Sequence, residues 1–171
     1  MGFDVIGNKA EDEVGGYFRN NVWWWRALWR YCEQVGGDII PEDNSGQYND
    51  GWGLDAEASA KLADALQAEI DSGRCKAYEE AHKAQLAAMP DEPCRYCDAT
   101  GIRADEVGVK GGLDKQPITT EGHPRFGETG TCNACDGVGH SRPFVTAYGF
   151  SVENAQEFAT FLKNCGGFEI W

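Results

Sequence analysis

Cys94-Arg95-Tyr96-Cys97 and Cys132-Asn133-Ala134-Cys135 are the residues of this chain best spaced for chemistry. Two cysteines three positions apart can turn both sulfurs toward one small ion, and two such pairs complete a tetrahedral thiolate set. That set favours zinc, with Zn–S bonds of about 2.3 Å. A single ion held by Cys94, Cys97, Cys132 and Cys135 has no open coordination position, so its expected role is structural rather than catalytic. Each pair leads into a glycine-bearing tail, Asp98-Ala99-Thr100-Gly101 and Asp136-Gly137-Val138-Gly139. Positive φ in such tails lets backbone amides approach the sulfurs.

The alternatives are a redox dithiol and a pair of disulfides. Two pairs in tandem with matching tails weigh against the first, and disulfides need an oxidising compartment. No charged-then-apolar leader opens the sequence, and no run of about 18 apolar residues could span a membrane. The expected location is the cytoplasm, where thiols stay reduced.

The second pair and its tail, Cys132-Asn-Ala-Cys135-Asp-Gly137-Val-Gly139, resemble the C-x-x-C-x-G-x-G repeat of the DnaJ-type cysteine-rich zinc finger at every motif position. The first, Cys94 to Gly101, resembles it except that Ala99 stands where the first glycine belongs. The family's domain has four repeats and two zincs; two repeats here imply one zinc. Residues 98–131 separate the pairs, and the His-Pro-Asp signature of a J domain is missing, with His123-Pro124-Arg125 its nearest approach. The resemblance implies a fold element and protein binding, without chaperone activity.

The 171 residues suffice for one domain, or for a body with a subdomain. Acidic residues outnumber basic ones by 28 to 15, for a net charge of −13. This balance argues against direct nucleic-acid binding, which needs phosphate-neutralising Lys and Arg. It suits solubility, a basic partner, or carboxylates standing where a partner expects phosphates.

The elements that must position the cysteines read as α+β. Phe3–Ile6 alternates as a short strand. Asn20 or Asn21 caps a helix ended by Gly36-Gly37, with Val22, Trp25, Leu28, Trp29 and Cys32 on its apolar face. Residues 38–53 are rich in turn formers, Asp55 caps a helix, and a more exposed helix covers Cys75–Met89. Val107-Gly-Val109 and Pro143–Phe150 read as strands, and the 98–131 segment as a loop or hairpin projecting from the zinc site. Ser151 opens the last helix, and Phe168–Trp171 returns as an edge strand. Three segments follow, all within one domain: 1–90, aromatic and helical; 91–141, zinc-binding; 142–171, packing back on the first.

Three consecutive tryptophans on a helix point about 100° apart, so one face cannot bury them all. Trp23, Trp24, Arg26 and Arg30 are therefore candidate partner-binding residues, against the plainer role of a core helix. His82 suits a solvated helix face, and His140 a surface or outer-sphere place beside the knuckle; Cys32, Cys75 and Cys165 read as buried thiols. No nucleophile–base pair, phosphate loop or H-x-x-x-H is present, which leans away from an enzyme. The leading expectation is a small acidic protein with one structural zinc, acting on a protein partner, similar in style to bacterial or phage regulators. The alternatives are an acidic inhibitor filling the nucleic-acid channel of an enzyme, and a small-molecule binder or enzyme with a pocket near Asn20, Asn21, Asp50 and Trp52. Oligomeric state is left open.

Overall fold

Alternation places Phe3 and Val5 on one face of β1 (Gly2–Gly7), and Phe18 and Asn20 on the same face of β2 (Tyr17–Asn21). A computed structural model describes residues 2–10 and 12–171, which divide into two compact units, one made of the described residues up to 87 with 147–171, the other of 88–146. The larger unit is built on a four-stranded antiparallel sheet of order β2-β1-β6-β3, with β3 at Gly53–Leu54 and β6 at Phe168–Ile170. Val5 faces Phe18 on one side and Ile170 on the other, so the register brings three apolar side chains together. The C-terminal strand thus lies inside the sheet between β1 and β3, not at the expected edge. A Cβ on Gly53 would stand 1.6 Å from the Phe168 carbonyl oxygen, so glycine is what lets β3 approach.

The short α1 (Glu13–Gly16) links β1 to β2. Three longer helices supply most of the rest of this core. In α2 (Val22–Val35), Asn21 Oδ1 accepts from the amides of Trp23 and Trp24, and the Gly36 amide closes the last turn on Cys32. Asp55 caps α3 (Ala56–Asp71) and Ser151 caps α6 (Val152–Asn164), two helices that pack together and send Leu62, Leu66, Phe158 and Leu162 into the core. Trp25 and Trp29 are fully buried and their rings stack at 5.5 Å. The 38–53 loop is tied to both: the Trp25 indole donates to the Gly46 carbonyl, and the Trp29 indole to Asn44 Oδ1. Among the residues of α4 (Arg74–Ala88), only Cys75 and Glu79 are buried, in keeping with its polar composition.

The smaller unit has little regular structure. Its two-residue strands β4 (Glu92–Pro93) and β5 (His140–Ser141) pair antiparallel. Residues 107–109 lie in α5 (Glu106–Lys110) rather than in a strand, because Asp105 Oδ1 accepts the Gly108 amide and starts a helical turn. Likewise Phe144–Ala147 forms a 3₁₀ turn instead of a strand, with Thr146 donating to the Pro143 carbonyl through both its amide and its hydroxyl. Four cysteines sit at the centre of this unit.

Candidate metal centre

Cys94, Cys97, Cys132 and Cys135 converge, their sulfurs all within 4.8 Å of one another and their side chains buried. The Cys94–Cys132 and Cys97–Cys135 sulfurs are 3.9 and 3.7 Å apart. A tetrahedron with metal–sulfur bonds of about 2.3 Å has edges of about 3.8 Å, whereas a disulfide would bring two sulfurs to about 2.05 Å. The spacing fits a single metal ion and leaves all four cysteines unpaired by disulfides.

The two knuckles are built alike. In each, the amide of the second cysteine bonds the carbonyl of the first at 3.3 Å, closing the turn. The Gly101 amide then donates to Cys97 Sγ and the Gly139 amide to Cys135 Sγ, both at 3.3 Å. These bonds require left-handed backbone in both tails, found at Asp98, Ala99 and Gly101, and at Asp136, Gly137 and Gly139. Amides aimed at sulfur favour the thiolate and so suit metal ligation.

The electrostatics point the same way. Burial pushes the Cys135 thiol up to about 12, against the Gly139 amide and with the nearby sulfurs adding to the rise. Burial also raises Cys97, opposed by the Gly101 amide, while Cys94 is held below its usual value despite burial because the Tyr96 amide and neighbouring thiols stabilise its thiolate. Thiolates packed this closely repel one another, and a divalent cation removes that obstacle.

The 98–131 segment between the knuckles does contain a hairpin, over residues 117–129, closed by Pro117 opposite Thr129 and by reciprocal bonds between Ile118 and the 127–128 backbone. Its tip, though, turns back onto the knuckle tails instead of projecting from them. Arg125 Nη1 donates to the carbonyls of Gly101 and Gly137 at 3.0 and 3.3 Å, one in each tail. His123 Nδ1 accepts the Arg125 amide, so Nε2 carries the proton and donates to the Asp136 carbonyl at 2.6 Å. No local spacing marks these two residues in the sequence, since their acceptors lie 12 to 24 positions away. His140 is exposed on β5 and is not part of the cysteine group.

Beside the first knuckle lies an open cleft of about 600 Å³, lined in part by Glu92, Arg95, Tyr96, Ser141, Arg142 and Phe144. Arg95 and Arg103 flank the exposed Tyr96 ring, their guanidinium carbons 4.9 and 5.1 Å from its centre.

The other candidate residues lie in the larger unit. Trp23 and Trp24 are partly exposed, Trp23 against the Tyr148 ring and Trp24 against Gly149. Arg30 is exposed, and Arg26 is half-buried with its carbonyl accepting from Gln47. Asn20 donates to Asn154, Asn21 caps α2, Asp50 accepts from Ser45 and the Trp52 amide, and Trp52 packs edge-on against Trp29. All four have structural contacts within the unit. His82 Nε2 lies 2.8 Å from the Tyr148 carbonyl, more engaged than a solvated helix face requires. Cys32, Cys75 and Cys165 are buried thiols, all raised by burial. Among the described residues, no helix is long and apolar enough to cross a membrane.

No family model, curated protein or solved structure matches this chain.

Proposed function

We propose that this chain is a zinc-binding protein whose single ion, held by four cysteines, is structural, and that it acts by binding another protein. One observation carries the zinc reading. In the smaller unit the buried apolar side chains are the four cysteines, Ile118 and Pro143. A unit of about 60 residues with so small a core needs a staple, and a structural zinc supplies on the order of 10 kcal/mol. Cys94, Cys97, Cys132 and Cys135 would hold the ion. The knuckles' likeness to the DnaJ-type repeat supports this reading, since the last glycine of each repeat is the one whose amide meets sulfur.

A closed thiolate site performs no substrate chemistry, so function falls to the surface that the ion orders. The cleft beside the first knuckle combines exposed aromatic rings with guanidinium groups, the residue types that dominate protein interfaces. Metal analysis of the purified full chain should find one zinc, and Cys97→Ser or Cys132→Ser should lose it. Retention of zinc by both variants defeats the four-cysteine reading. Affinity capture with and without chelator tests the second part: a partner retained only by the zinc-loaded chain is expected, and no partner at micromolar concentration argues against it.

A second reading, an acidic inhibitor of a nucleic-acid enzyme, draws on charge distribution. Of 28 acidic and 15 basic residues, 9 and 6 lie in the smaller unit, leaving 19 and 9 in the larger. Binding of this kind weakens steeply as salt rises. Salt-insensitive capture therefore separates the two.

A further inference from the structure

Resting on the zinc reading, we infer that His123 and Arg125 form a latch that couples metal binding to closure of the hairpin over residues 117–129. Gly101 connects the two directly. Its amide donates to Cys97 Sγ at 3.3 Å while its carbonyl accepts Arg125 Nη1 at 3.0 Å. The same nitrogen reaches the Gly137 carbonyl in the other tail, and His123 holds the carbonyl of Asp136, which follows Cys135. Two neighbouring hairpin residues thus grip both knuckles through three carbonyls.

Those carbonyls point to the latch only while the tails keep their left-handed turns, with φ of 76° at Gly101, 49° at Asp136 and 80° at Gly137. The sulfurs hold the turns, and the ion holds the sulfurs together. Loss of metal frees the tails and scatters the acceptors; by linkage, loss of the latch weakens metal binding by the same factor. Arg suits the place twice over. One nitrogen, Nη1, holds both carbonyls while Nε pairs with Glu128, and its fixed positive charge lies beside a site whose four thiolates outweigh a divalent ion. Glu128 pairs with Arg125 Nε at 2.8 Å from the far side, leaving Nη1 for the tails. Pro124 and Phe126 alternate outward, and Phe126 is 58% exposed, so a closed hairpin presents that ring at the surface.

The test is zinc affinity of the full chain, measured by competition with a chromophoric chelator. Arg125→Ala and His123→Ala should each weaken binding by about 10- to 100-fold, the usual effect of removing an outer-sphere partner. Arg125→Lys, which keeps the charge but lacks the separate nitrogen that pairs with Glu128, should fall between Arg125→Ala and the parent chain. Phe126→Ala, which removes an exposed ring outside the grip, should stay close to the parent chain. A parent chain that binds no zinc defeats the zinc reading itself. A parent chain that binds zinc, with Arg125→Ala within about threefold of it, defeats the latch alone.

Hydrogen exchange at saturating zinc distinguishes a latch from general unfolding. In Arg125→Ala the amides of Ile118 and Gly127 should exchange about tenfold faster, while those of Gly101 and Gly139 keep their protection. Unchanged hairpin protection overturns the proposal. If Arg125→Ala fails to fold, the same comparison is made on Arg125→Lys.

Discussion

Gly101 and Gly139 occupy equivalent places in the two knuckles, and each is pressed against the other knuckle's tail. A Cβ on Gly101 would stand 2.2 Å from the Gly137 carbonyl oxygen, and one on Gly139 would stand 2.3 Å from that of Ala99. The knuckles are therefore interlocked by backbone as well as linked through sulfur. The symmetry fails at one position: Ala99, at φ 63°, does the work that Gly137 does at φ 80°.

That mismatch makes a prediction. An alanine in left-handed backbone is strained by about 1–2 kcal/mol, part of which glycine gives back through its greater freedom when unfolded. Ala99→Gly should stabilise the zinc-loaded smaller unit by about 1 kcal/mol. Gly139→Ala meets a carbonyl as well as an unfavourable φ, and should destabilise it by at least about 2 kcal/mol. Thermal unfolding of the loaded proteins decides; an Ala99→Gly midpoint at or below that of the parent chain would refute the strain.

Much of this was legible in the sequence where the signal is local. The Cys-x-x-Cys pairs, the caps at Asn21, Asp55 and Ser151, and the apolar stripe of α2 are each set by residues within a turn or two. What escaped depends on distant partners in all but one case. Val107 and Val109 have strand-forming side chains, but Asp105 captures the Gly108 amide before a strand can form. Phe168–Ile170 reads as an edge because its second partner, Gly53–Leu54, is only two residues long. His123 and Arg125 carry no periodicity or spacing that reveals the carbonyls they hold.

Acid should weaken the larger unit through Glu79 and Glu69. The Lys83 ammonium, aided by Lys76 and opposed by burial, holds Glu79 below the usual carboxylate range. Arg74, opposed by burial and aided by Tyr31, does the same for Glu69. A carboxylate with a lower pKa folded than unfolded stabilises fully above its unfolded pKa, about 4.3 for Glu, and that stability is lost as pH falls through the folded value. Urea unfolding between pH 7 and 3 should show stability falling below about pH 4.3. The Glu69→Gln, Glu79→Gln double variant should flatten that fall, and an unchanged pH profile would rule these pairs out as its source.

The loop over the tryptophans should be intolerant of small changes. A Cβ on Gly46 would lie 2.2 Å from the Trp29 ring, and Asn44 Oδ1 accepts from both the Trp29 indole and the Gly46 amide. Gly46→Ala forces the ring or the loop to move, at about 1–3 kcal/mol. Asn44→Ala leaves the indole N–H without its partner, at about 1–3 kcal/mol. Chemical denaturation followed by tryptophan fluorescence measures both. Losses below about 0.5 kcal/mol in each would mean that the loop does not lock Trp29.

Removal of metal should separate the two units. The larger unit buries Trp25, Trp29, Phe158, Phe161, Leu62, Leu66 and Ile170 in a core that includes none of the four clustered cysteines. The smaller buries those cysteines with only Ile118 and Pro143 beside them, so without an ion its centre is four thiols with no cation to order them. Chelation should abolish protection of the smaller unit's backbone amides, such as those of Ile118 and Gly130, while those within α2 and α6 keep theirs. Readdition of zinc should restore the lost protection, because thiolate binding drives the folding of a centre that packing alone cannot close. Hydrogen exchange resolved by segment makes the comparison on one sample. Uniform loss across both units would mean the larger core also depends on the ion, and no loss in either would mean that residues 88–146 fold without it.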